Sequence, residues 1–194
     1  MSRGKFSDDR YEEIKQEVLF MFEETGTDTY PIDPFEIARR LKYVVRKYSE
    51  LDFVAYLEAT AESDDGFSRV EQDPVTGMYR YVIYYNDEGH GIRNIRWTMF
   101  HEIGHIYLGH HDNPAGNEQL EEDEANFFAK YSIAPPPLIN ATNCTDPVDV
   151  YMTFLVSDQA SGFVFDYFQK WLNFGPRMYQ PYELKMLSLF HLAA

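Results

Sequence analysis

Cysteine and basic residues are scarce in this sequence. The chain of 194 residues contains one cysteine, Cys144, so it cannot form an internal disulfide and nothing indicates an oxidising compartment. Lysine and arginine together number 17 against 32 aspartates and glutamates, which gives a formal net charge of −15. A surface of that charge repels phosphate backbones, and we therefore expect no direct binding to nucleic acid.

Long apolar runs are also missing. No stretch approaches the length of about 20 apolar residues that a membrane-spanning helix needs, and the sequence turns acidic at Asp8 and Asp9, where a signal peptide would need its apolar run. We therefore expect a cytoplasmic protein without a membrane partner. The apolar fraction of 44% and the aromatic fraction of 16% are typical of a globular chain that can bury a core.

The periodicity of apolar residues predicts an α+β fold. A helix is expected from residue 8 to about 25, where Gly26 would cap it, and a short helix after Asp33-Pro34. Runs of β-branched and aromatic residues then predict a small antiparallel sheet with hairpins, over 44–48, 53–57 and 78–85. Helical patterns return at about 92–108 and 118–131.

The last third of the sequence predicts a helical tail. The proline run 135–137 and the polar stretch 140–146 read as a linker, because a helix interior does not accommodate such prolines. Further helices are expected over 148–155, 157–172 and 182–192. We therefore divide the chain into a domain at 1–137 and a helical C-terminal extension at 138–194, packed on it.

The predicted helix 92–108 carries a possible metal site at His101-Glu102-Ile103-Gly104-His105. Histidines four residues apart lie about 40° apart around a helix and about 6 Å apart along it, so both imidazoles can reach one ion. Glu102 is displaced by about 100°, where it can address a water without binding the metal. Gly104 is unfavourable in a helix interior and suggests close backbone approach.

A catalytic zinc needs a third protein ligand and an open position for water. His111 lies ten residues after His101, as in three-histidine peptidases, but the glycine of that pattern is displaced by one residue, to Gly109. His110 does not fit that spacing either. The other source is a carboxylate from the next helix, within the acidic run 121–124.

Two motifs resemble the ImmA/IrrE family of metallo-endopeptidases. They are the stretch Arg96 to His105 followed by Leu108-Gly109-His110, and the stretch Glu124-Ala125-Asn126-Phe127-Phe128-Ala129. The resemblance implies a zincin-like metallopeptidase domain that binds Zn²⁺ through His101 and His105. It also implies that the glutamate opening the second motif, Glu124, is the third ligand; Glu121 is our fallback if the helix is rotated by one turn. The chain departs from the family at Tyr131 to Pro135, where a Leu-Leu-Met-Pro stretch is usual.

The resemblance implies an enzyme that hydrolyses peptide bonds. Zinc would lower the pKa of a water and polarise the scissile carbonyl, while Glu102 takes the proton and delivers it to the leaving amine. Short members of the family, associated with mobile elements, cleave a DNA-binding helix-turn-helix repressor, and we expect such a protein substrate here. Two alternatives are a metal-containing module that sequesters a repressor or an antitoxin-like partner without turnover, and a purely structural helix pair.

Overall fold

The computed structural model describes residues 6–112 and 116–192, which form two compact units. One unit comprises residues 34–129 and the other comprises residues 6–33 with 130–192. The first helix of the chain is thus grouped with the C-terminal helices, whereas the sequence-based division assigned it to the domain at 1–137. As a division into functional domains, the boundary after residue 137 stays a prediction.

The sheet of the first unit is mixed. Strands β1 (Val44–Lys47), β2 (Gly66–Gln72) and β3 (Tyr79–Tyr85) lie in the order β1-β3-β2. β2 pairs antiparallel with β3 across the turn at 73–77, but β1 runs parallel to β3. The predicted strands at 44–48 and 78–85 correspond to β1 and β3, but they pair parallel rather than antiparallel, and the strand that does pair antiparallel with β3, β2, was not predicted.

The segment predicted as a second strand, 53–57, is helical. It begins α3 (Phe53–Glu62), because the side chain of Asp52 accepts hydrogen bonds from the backbone N–H groups of Val54 and Ala55 and so caps the helix. Three of the apolar side chains that suggested a strand are exposed to solvent: Phe53 is 76%, Val54 63% and Leu57 50% exposed. A local cap outweighed the β propensity of these residues.

Four helices begin in the first unit, α2 (Pro34–Arg40), α3, α4 (Ile92–Tyr107) and α5 (Glu118–Ile133). The predicted helices at 92–108 and 118–131 are confirmed as α4 and α5. α4 packs on β2 and β3, and its side chains Met99, Phe100 and Ile103 are fully buried. This packing fixes which face of α4 is left for the histidines.

Gly104 marks a close approach of α4 to Phe128, as the sequence predicted. A Cβ atom at position 104 would lie 3.1–3.2 Å from the fully buried Phe128 side chain. We expect Gly104→Val to lower the free energy of unfolding by about 1–3 kcal/mol, because the added atoms overpack this contact. The measurement is urea unfolding followed by circular dichroism.

Gly162 provides the matched control, since it is also a helical glycine but a Cβ atom at its position would meet no other atom within 4 Å. Gly162→Val should change the free energy of unfolding by less than about 0.5 kcal/mol, because valine differs little from glycine in helix propensity. Equal effects of the two substitutions would show that the contact with Phe128 does not constrain position 104.

The second unit is helical. Its elements are α1 (Asp8–Thr25), α6 (Pro136–Ala141), α7 (Pro147–Phe154), α8 (Asp158–Phe174) and α9 (Pro181–Leu189), together with the end of α5. Pairwise packing of α1 with α9, α6 with α8 and α9, and α7 with α8 forms its core. No helix in 6–112 or 116–192 has both the length and the apolar character that crossing a membrane requires.

The proline run is part of a helix rather than a linker. Pro135 is the N-cap of α6, and Pro136 and Pro137 occupy its first turn, where a missing N–H costs no hydrogen bond. Both of these prolines are buried, as are the two residues that follow, Leu138 and Ile139. The sequence-based interpretation as a linker is therefore wrong for 136–141.

Candidate metal centre

One face of α4 presents His101 and His105 to the same point. Their Nε2 atoms lie 3.0 Å apart, and the two side chains are only 16% and 14% exposed. The spacing of four residues produces this convergence, because it places the second imidazole one turn above the first. Both members of the predicted histidine pair are thus brought together.

α5 adds a carboxylate to the two histidines, and it comes from Glu122. Its Oε1 lies 3.2 Å from Nε2 of His105, and its Oε2 lies 3.4 Å from Nε2 of His101. Within the part of the chain that the structure describes, these three residues are the group whose ligand atoms all lie within 4.8 Å of one another. Two imidazole nitrogens and one carboxylate are a ligand set that zinc accepts in catalytic sites.

Glu124, the third ligand expected from the resemblance, does not lie in this cluster. The side chains of residues two positions apart are separated by about 200° around a helix axis, so α5 cannot direct Glu122 and Glu124 to the same point. Glu124 is buried, and its Oε2 lies 3.3 Å from Nε2 of His110. The geometry therefore replaces Glu124 with Glu122 as the candidate third ligand, and it does not select the fallback Glu121.

A polar stripe on α5 is the signal that sequence reasoning missed. Glu118, Glu122 and Asn126 follow one another at intervals of four and all line the cleft beside the histidines. Apolar residues that lie away from this stripe on the helix, among them Phe127 and Phe128, are buried. A helical projection of these positions distinguishes 122 from 124, whereas the acidic run alone does not.

Glu102 lies in the same cleft but outside the group of possible ligands. It is 6% exposed, and its Oε2 accepts a hydrogen bond of 2.7 Å from the Ser68 hydroxyl. Burial raises the pKa of Glu102 above its ordinary value, although the charge of His101 and the hydrogen bond from Ser68 oppose the rise. The carboxylate thus lies close to the cluster and, when it is ionised, is able to accept a proton.

His111, the alternative third ligand in the sequence, contacts Ser68 instead of the cluster. Its Nε2 lies 2.9 Å from the Ser68 oxygen. Because the Ser68 hydroxyl donates to Glu102, that oxygen is free to accept from His111. Ser68 was missed by sequence reasoning because strand β2, which carries it, was not predicted.

The two histidines have different electrostatic environments. Burial and, to a smaller extent, the charge of His101 together lower the pKa of His105 to about 4, so His105 is a neutral imidazole near pH 7. Burial also lowers the pKa of His101, but the hydrogen bond with Glu122 and the charge of Glu102 outweigh it, and the net direction is upward. The pKa of Glu122 is lowered, chiefly by its hydrogen bond with His101. Metal binding requires neutral imidazoles and an ionised carboxylate.

The cleft around these residues has a volume of about 530 Å³ and an acidic lining. Besides Glu102 and Glu122, it is lined by Glu62, Asp65 and Glu118, and among the residues that the structure describes it has no lysine or arginine in its wall. The cleft would therefore attract a positively charged ligand.

The arrangement is a candidate metal site: paired histidines on one helix, a carboxylate from the next helix, and a buried glutamate beside them. Residues 52–142 match the family model described as the IrrE N-terminal-like domain, Peptidase_M78, which covers α3, the hairpin, α4 and α5. This match supports the predicted resemblance of residues 52–142 to the ImmA/IrrE family of metallopeptidases. A comparison with curated proteins found no match.

Proposed function

We propose that this protein is a zinc-dependent endopeptidase. The observation that carries the proposal is the convergence of His101, His105 and Glu122 on one point, with Glu102 in the same cleft. His101, His105 and Glu122 would hold the metal. Zinc bound there would supply a Lewis acid that polarises a carbonyl and lowers the pKa of water.

Glu102 has the role of general base in this proposal. The Ser68 hydroxyl donates to Oε2 of Glu102 and so orients the carboxylate, which in its ionised form can accept the proton of the attacking water. Its raised pKa brings Glu102 closer to the operating pH, which favours proton transfer in both directions. The same carboxyl group can therefore take the water proton and deliver it to the leaving amine.

The edge of the sheet supports a peptide as the substrate. β2 is one of the two outer strands in the order β1-β3-β2, and Gly66, Phe67 and Ser68 on it line the cleft. An edge strand offers backbone N–H and C=O groups to an extended chain, a common mode of peptide recognition. A segment paired with β2 would pass beside Glu102 and the proposed ligands.

We further propose a DNA-binding helix-turn-helix repressor as the substrate. The proposal is supported by the family resemblance and by charge. Such a repressor carries a lysine- and arginine-rich surface for DNA, while this chain has a net charge of −15 and an acidic cleft. The attraction would act over about a Debye length, roughly 8–10 Å at physiological salt.

Cleavage of the repressor should therefore slow as the salt concentration rises, and operator DNA should compete for the same basic surface. The experiment follows cleavage of a repressor encoded beside this protein at two salt concentrations, with and without its operator. Cleavage that responds to neither change would contradict the electrostatic argument. A repressor that stays intact with zinc-loaded protein would contradict the substrate assignment.

A further inference from the structure

Two partly buried histidines, His105 and His110, and the buried Glu124 form a hydrogen-bonded chain behind the proposed metal site. Nδ1 of His105 lies 3.0 Å from Nδ1 of His110, and Nε2 of His110 lies 3.3 Å from Oε2 of Glu124. The side chains of His110 and Glu124 are only 7% and 8% exposed. The chain therefore runs away from the cleft into the interior of the unit.

Local backbone structure positions the middle member. Gly109 has a left-handed conformation with φ of 75°, which ends α4 and directs the following residues into a short 3₁₀ helix at His110–Asp112. This reversal brings His110 back against His105, one turn earlier on α4. α5 supplies Glu124 on the side of the helix away from Glu122. The same helix therefore contacts Nε2 of His105 directly, through Glu122, and its Nδ1 indirectly, through Glu124 and His110.

If His105 binds a metal, the hydrogen bonds that link His105, His110 and Glu124 can be donated in one direction only, from His105 towards Glu124. Nε2 of His105 faces His101 and Glu122, and it needs its lone pair to act as a ligand. The ring proton must then be on Nδ1, where it is donated to Nδ1 of His110. His110 consequently carries its own proton on Nε2 and donates it to the carboxylate of Glu124.

The opposite direction would block the site. If Glu124 donated to Nε2 of His110, then His110 would donate from Nδ1 to His105, and the proton of His105 would lie on Nε2, facing His101. An ionised carboxylate only accepts hydrogen bonds, so Glu124 in that state excludes this arrangement. A carboxylate at position 124 thus determines, through His110, which nitrogen of His105 carries the proton.

We propose that Glu124 and His110 are positioning residues, which hold His105 in the tautomer that presents Nε2 to the metal. The proposal rests on the proposed metal site. It assigns a role to Glu124 other than that of a ligand. Partners of this kind fix the orientation of a metal-binding histidine, and removing one typically weakens metal affinity by about 10–100-fold.

Zinc affinity of a set of variants tests the proposal without any measurement of activity. His110→Ala and Glu124→Ala should each weaken zinc binding by about 10–100-fold in competition titrations with a chromophoric chelator. His110→Asn should recover most of the affinity, because its side-chain oxygen can take the place of Nδ1 as an acceptor. Glu121→Ala removes an acidic residue from the same helix turn that takes no part in the His105–His110–Glu124 hydrogen bonds. It should change the zinc affinity by less than about threefold.

A spectroscopic measurement tests the tautomers themselves. Long-range ¹H–¹⁵N correlation spectra of the histidine rings should show His105 protonated on Nδ1 and His110 protonated on Nε2 in the zinc-loaded protein. Thermal unfolding of each metal-free variant identifies any loss of affinity that arises from unfolding, and His110→Asn separates such a loss from the loss of the acceptor.

Wild-type affinity in His110→Ala, or a proton on Nδ1 of His110, would overturn the proposal. Failure of the proposed function looks different. A folded wild-type protein that binds no zinc would overturn the proposed metal site and, with it, the positioning role of His110 and Glu124. Zinc binding by wild type with unchanged affinity in both alanine variants would overturn only the positioning role.

Discussion

Glu102→Gln should retain bound zinc and lose peptide hydrolysis by about 10²–10⁴-fold, the range that general-base catalysis contributes. Glutamine has nearly the same shape and can still accept the hydrogen bond from Ser68, so the cleft should keep its structure. It cannot accept the proton of the attacking water near neutral pH. Zinc content by elemental analysis and cleavage rate on one preparation are the two measurements.

Glu118→Gln is the matched control for this substitution. Glu118 is an exposed acid in the lining of the same cleft, but it is not part of the proposed ligand set or the general base. It should keep zinc and most of the hydrolysis. Loss of zinc in Glu102→Gln, or normal hydrolysis by a zinc-loaded Glu102→Gln protein, is incompatible with the role assigned to Glu102.

Glu122→Ala should weaken zinc binding by more than the roughly 10–100-fold that loss of an indirect partner produces, because it removes a direct ligand. Glu124→Ala should weaken binding less, through His110. His111→Ala should leave the affinity nearly unchanged, since His111 contacts Ser68 rather than the cluster. Zinc titrations of the three variants under identical conditions give the order.

The order of these losses distinguishes three ligand sets. A larger loss in Glu124→Ala than in Glu122→Ala would restore Glu124, the residue expected from the resemblance, as the third ligand. A severe loss in His111→Ala would place the protein with the three-histidine peptidases. Circular dichroism of the metal-free variants checks that each one is folded before its affinity is compared.

The proposed metal-binding helix could be predicted from the sequence because its signals are local. The spacing of His101 and His105 requires only helical geometry, and the helix itself has a clear apolar periodicity. Gly104 predicted a close contact, which Phe128 makes. None of these inferences needed to know how distant segments pair.

The third ligand could not be fixed in this way, because four acidic residues occupy 121–124. Which of them meets the histidines depends on the rotation of α5 about its axis, and a change of two residues turns the carboxylate to the opposite side. Burial of α5 against its neighbours sets that rotation. The acidic run carries no information about it, although the stripe formed by Glu118, Glu122 and Asn126 does.

The sheet was predicted only in part for a similar reason. β2 alternates polar and apolar residues weakly, and its strand conformation depends on pairing with the apolar β3. In α3, the capping by Asp52 opposes the β propensity of the residues that follow. The consequence for the site is direct, since Ser68 and the edge of β2 lie within the missed strand.

The most direct test of a zinc-dependent peptidase is the intact mass of a neighbouring repressor after incubation with three preparations of this protein. The preparations are zinc-loaded, chelator-treated, and chelator-treated with zinc restored. We expect two fragments whose masses sum to the repressor plus one water in the first and third preparations, and a full-length repressor in the second. A repressor that stays full length with the zinc-loaded protein while binding to it would indicate sequestration, and cleavage that persists after complete removal of the metal would contradict the account.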